Sequence, residues 1–63
     1  MNAFDLLISQ INEELELRHT AICQGGAGSY DEYKRLCGEV RGLLVAKEIT
    51  ETLKKKMENL DDE

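Results

Sequence analysis

The chain predicts an all-α fold, a coiled-coil-like hairpin of two antiparallel helices that is oligomeric or docked on a larger assembly. Three observations carry this. Apolar residues recur at spacings of three and four on both sides of a single glycine cluster. There is no proline, and only 5% of residues are aromatic. A third of the 63 residues are charged, as in solvent-facing helices. One domain follows: a helix over about 3–23, a glycine-rich loop over 24–29, a helix over about 30–59 and an acidic tail over 60–63.

The first helix is expected to start at Asn2, whose side chain suits an N-cap, with Asp5 favourable to the helix dipole. Phe4, Leu7, Ile8, Ile11, Leu15 and Ile22 form one stripe, with Arg18 in the remaining slot. Leu6 and Leu17 fall on the opposite side and are possible additions to a contact surface. Gln24-Gly25-Gly26-Ala27-Gly28 is the one breaker cluster, and it ends the helix. Ser29 and Glu32 then fit the capping-box spacing, so the second helix begins near Tyr30.

That second helix divides into two apolar faces at 100° per residue. Tyr33, Leu36, Cys37, Val40, Leu43 and Leu44 share one; Gly38, Gly42, Val45, Ala46, Ile49, Leu53, Met57 and Leu60 share the other. A helix-interior glycine costs roughly 1 kcal/mol against alanine, so Gly38 and Gly42 imply a backbone coming close. Folding about the loop sets Ile22 near Asp31, Leu15 near Gly38, Ile11 near Gly42 and Phe4 near Ile49. The first helix would then lie on the glycines; the alternative puts them against a second chain. Lengths of about 30 and 45 Å leave Leu53, Met57 and Leu60 overhanging. The candidate interface is therefore Gly38, Gly42, Ala46, Ile49, Leu53, Met57 and Leu60. Lys54-Lys55-Lys56 suits the closing turns, with Glu51 and Lys55 four apart, while Asp61-Asp62-Glu63 predicts fraying.

Size and composition exclude several classes. A chain of this length buries only about 60% of its unfolded surface, so an added staple or partner is expected. Cys23, Cys37 and His19 have no zinc-ligand spacing; a Cys23–Cys37 disulfide would span a plausible loop, but two cysteines with no signal segment fit reduced thiols better. No metal or cofactor is expected. A net charge of −5 argues against a nucleic-acid binder, and no run of about 20 apolar residues suggests a membrane span. His19 reads as a solvated residue, Cys37 as a small buried hydrophobe, and Cys23 has nothing nearby to lower its pKa. The loop glycines follow no strand and precede no P-loop lysine. No nucleophile and base stand at a workable spacing, so no enzyme is expected.

Over Tyr30-Asp31-Glu32-Tyr33-Lys34-Arg35-Leu36-Cys37-Gly38-Glu39-Val40-Arg41-Gly42-Leu43 the chain resembles small helical proteins of tailed bacteriophages. The likeness spans roughly 29–60: a tyrosine-rich helix start, a Gly-x-hydrophobic-Arg-Gly-Leu centre, an alanine one turn on and an acidic end. Many such proteins are encoded among virion head and neck genes. The resemblance implies a minor structural or assembly role, with capsid, portal or neck subunits as partners, in the virion or the infected host's cytoplasm. In plan the chain is also similar to the plasmid RNA-binding hairpin Rop, a dimeric four-helix bundle, with no shared motif. The expected function is thus a non-enzymatic phage protein binding virion subunits, or itself, through an apolar helix face. A rival is a small regulator that inhibits a host enzyme through the acidic edge of Glu13, Glu14 and Glu16; a Rop-like RNA binder is the weakest alternative on charge.

Overall fold

A computed structural model of the chain describes residues 2–25 and 28–61. Two helices, α1 (Ala3–Cys23) and α2 (Tyr30–Asp61), pack against each other as an all-α hairpin. Helix α1 opens as its sequence dictates: Asn2 is extended, and its Oδ1 accepts a 2.8 Å hydrogen bond from the Asp5 N–H. It closes through Gly25, whose φ of 70° lets its N–H turn back to the Ile22 carbonyl at 3.3 Å. Gly26 and Ala27, also assigned to the loop, lie outside the described residues. Helix α2 opens with the Glu32 N–H donating to Ser29 Oγ at 3.2 Å. Glu32 reaches back to accept from the Gly28 N–H at 2.7 Å, one residue beyond Ser29, the standard capping-box partner. At the other end α2 continues through Leu60 to Asp61 rather than stopping near Asn59. Asp62 and Glu63 of the expected tail lie outside the described residues.

Two ion pairs fix the register. Arg18 of α1 donates to Glu39 of α2 at 2.8 Å, and Lys54 of α2 donates to Asp5 of α1 at 2.5 Å. This differs from a symmetric fold about the loop, which sets Phe4 beside Ile49; α2 is displaced by roughly one and a half turns. The long helix therefore projects past α1 at both ends. Tyr30 and Tyr33 stand clear at the loop end, and only the residues beyond Lys54 overhang at the other. Leu53 lies alongside α1, which corrects its expected place in the overhang.

The packed face of α2 also differs from expectation. Among the described residues Ile11 and Leu15 are the buried apolar ones, at 8% and 6% exposure. Leu36, Cys37, Val40 and Leu43 are half-buried on the facing side of α2, together with Ala46, Lys47 and Lys54, and Thr50 is buried there. Gly38 and Gly42 are exposed, and a Cβ built on either meets nothing within 4 Å. So α1 does not lie on the glycines. Branched side chains bury more hydrocarbon against Ile11 and Leu15 than bare glycines would, and that rotation also lets Arg18 and Asp5 reach their partners.

Candidate protein interaction surface

The exposed side of the hairpin follows from a switch in α2. Its apolar stripe runs Leu36, Val40, Leu43 in the first half and Ala46, Ile49, Leu53, Leu60 in the second. At 100° per residue these stripes lie roughly 110° apart around the helix. The drift of a straight helix against a heptad is only about 20° per heptad, so one partner helix cannot follow both. Helix α1 covers the first. Opposite its N-terminal half α2 instead presents Lys47, Thr50 and Lys54, while Ile49 is 62% exposed and Leu53 46%.

Thr50 and Lys54 on the packed side both find partners. Thr50 Oγ1 donates to the Ala46 carbonyl at 2.7 Å, one turn back along its own helix. The Lys54 ammonium on Asp5 holds that carboxyl below its ordinary range and raises the lysine in return. At the other end Arg18 bridges Glu14 at 2.6 Å and Glu39, and Arg35 donates to the second Glu39 oxygen at 2.6 Å. The hydrogen bond from Arg18, with Arg35 nearby, depresses the Glu39 carboxyl; Glu14 and Glu39 raise Arg18. These pairs clamp the hairpin at two levels and leave the second stripe of α2 free of charge between Gly42 and Leu53.

Of the expected interface residues, Gly38, Gly42, Ile49, Leu53, Met57 and Leu60 are exposed, and Ala46 is half-buried at the edge of α1. Their common face is the one turned off α1. A shallow groove of about 290 Å³ opens on it between Ile49 and Leu53, bordered by Glu48, Thr52 and Lys56. The register adds Leu7 of α1, also exposed, beside the Ile49–Leu53 level. Leu7 fell within the expected core stripe, so only the packing reveals it as surface. Leu6 and Leu17 are exposed on the outer side of α1, and Leu17 with Glu13, Glu16 and Thr20 borders a second groove of about 410 Å³. The tyrosines at the loop end stack on each other with centroids 6.5 Å apart, and Lys34 lies 5.5 Å over Tyr30.

Both cysteines are free thiols, Cys23 exposed and Cys37 half-buried. Among the described residues no three His, Cys, Asp or Glu side chains are placed to hold a metal ion, and no helix is long and apolar enough to cross a membrane. Comparison with protein-family models, with curated proteins and with solved structures finds no match for this chain.

Proposed function

We propose that this chain is a non-enzymatic binding hairpin that acts by laying the second apolar stripe of α2 against protein. The observation that carries the reading is the side switch of that stripe: Ile49, Leu53 and Leu60 are each large, apolar and open, on a helix whose other face is already taken. Burying such a side chain is worth roughly 1.5–3 kcal/mol, so the open stripe is a large unspent source of binding free energy. The resemblance over 29–60 supports a phage assembly role, in which the hairpin decorates or bridges capsid, portal or neck subunits. The test is incorporation into particles, or co-purification with virion subunits, for the native chain and an Ile49→Asp, Leu53→Asp variant. The native chain is expected to be retained and the variant lost; equal retention of both refutes the reading.

A second reading uses the outer side of α1. Glu13 and Glu16 flank Leu17 along the second groove, an apolar strip with acidic borders suited to a basic protein surface. A regulator acting there would lose its effect on charge reversal at Glu13, Glu14 and Glu16. A virion component held by α2 would not.

A further inference from the structure

We propose that the open stripe of α2 is the seam of a symmetric antiparallel dimer, its occupant a second copy of this chain; this rests on the protein-binding reading above and names the partner. Three observations point to self-association.

The stripe is complementary to itself in size. Its N-terminal half is small, with Gly38, Gly42 and Ala46; its C-terminal half is large, with Ile49, Leu53 and Met57. A two-fold axis passing between Lys47 and Glu48 sets Gly42 opposite Leu53 of the other copy and Ala46 opposite Ile49. In the same register Gly38 falls level with Met57. Ile49, Leu53 and Met57 each then meet a small residue, the alternation that lets two helix surfaces interdigitate, while Leu60 falls level with Arg35 at the rim. Both glycines, open in the hairpin, acquire the close neighbour that their helical cost requires.

Charge permits the same arrangement. Helix α2 carries seven acidic and seven basic side chains, so two copies meet as neutral helices. Helix α1 holds four acidic residues against Arg18 and stays outside. Area agrees as well. The hairpin exposes 4979 Å², whereas a compact monomer of 7.1 kDa exposes about 4,100 Å². The excess of about 900 Å² is spread over an elongated molecule of 52 × 18 × 12 Å, surface enough for the roughly 800 Å² that each partner contributes to a standard interface.

The experiment is sedimentation equilibrium of the full chain over a concentration series to about 1 mM. The expected mass is twice 7.1 kDa at high concentration. Ile49→Asp and Gly42→Leu should each raise the dissociation constant roughly tenfold or more. Gly42→Leu is the folding-safe variant, because leucine favours helix and a Cβ at this exposed position meets nothing within 4 Å. Leu17→Asp, on the outer side of α1, should leave the mass unchanged. Register is read by a Gly42→Cys, Leu53→Cys chain with Cys23 and Cys37 replaced by serine. Positions 42 and 53 lie about 16 Å apart along one helix, beyond the roughly 7 Å reach of a disulfide, so oxidation must link two chains. A monomer at every concentration overturns the proposal and leaves the protein-binding reading to its own particle test. A dimer indifferent to Ile49→Asp and Gly42→Leu, or one that fails to cross-link, also overturns it.

Discussion

Gly38 sits in the middle of a helix with open space where its side chain would be. Nothing inside the hairpin gains from that vacancy, so the backbone freedom of the glycine is a net loss to the isolated chain. Gly38→Ala is therefore expected to stabilise the monomer by about 0.5–1 kcal/mol, measured by urea unfolding at dilutions where the chain is alone. Destabilisation by that change would mean that α1 approaches the glycine after all. Thr50 poses the converse case. It is 8% exposed, and its hydroxyl is satisfied only by the carbonyl of its own helix one turn back. Thr50→Val keeps the shape and drops a polar group from a dry contact, so a gain of about 0.5–1 kcal/mol in thermal or urea unfolding is expected. Neither residue's role is visible in composition. The sequence marks Gly38 as a candidate contact residue, yet the hairpin leaves it open, because which face α2 turns to α1 depends on rotation about its axis. A sequence with two apolar faces leaves that rotation open.

Among the described residues, the attachment between the helices consists of two buried aliphatic residues, a half-buried fringe and two ion-pair clamps. The buried pair dominates. Leu15→Ala removes a side chain that is 6% exposed, a change that costs about 2–5 kcal/mol in well-packed cores. So small a core leaves little reserve, and the circular-dichroism signal of that variant is expected to be largely lost at room temperature. The clamps act through pH. Asp5 and Glu39 have carboxyls depressed below their ordinary values of 3.8 and 4.5, by Lys54 and by Arg18. A depressed folded-state pKa means that the unfolded chain binds protons first. Their contribution is full above the ordinary carboxylate range and is lost as pH falls through their lowered values. Helix content should therefore hold from pH 7 to about 5 and decline below about 4.5, and Glu39→Gln should flatten part of that decline. The helices themselves were legible almost to the residue: Asn2 caps, Gly25 stops and Ser29 restarts, each a local rule. The register was not. It depends on which long side chains reach across, and Arg18 to Glu39 and Lys54 to Asp5 are separated by 21 and 49 positions. The same shift moved Leu53 from the overhang to the flank and freed the two tyrosines at the loop end.

For the whole molecule, the decisive quantity is how stability responds to concentration and salt, because an open hairpin and a closed dimer answer differently. Folding coupled to dimerisation draws on mass action. With the per-residue unfolding entropy of ordinary proteins, a dimer of this size should gain about 5 °C in Tm for each tenfold rise in concentration. A lone hairpin would gain none. Salt separates the apolar seam from the acidic edge. The surplus negative charge lies on α1 and the chain end, while α2 is balanced, so there is no net charge attraction across the seam for ions to screen. They screen only the repulsion between outward-facing α1 helices, over a Debye length of about 10 Å at 0.1 M. Raising salt from about 0.05 to 0.5 M should therefore hold or tighten the dimer. Contact through Glu13, Glu14 and Glu16 would weaken over the same range, since its attraction is Coulombic and exposed. Melting followed by circular dichroism across both variables reads the two responses from one set of samples. A Tm that rises with concentration and does not fall with salt assigns the stabilising contact to the apolar seam, Ile49 and Leu53 with Ala46 and Gly42 opposite them. A Tm that ignores concentration leaves that stripe of α2 open on the isolated chain.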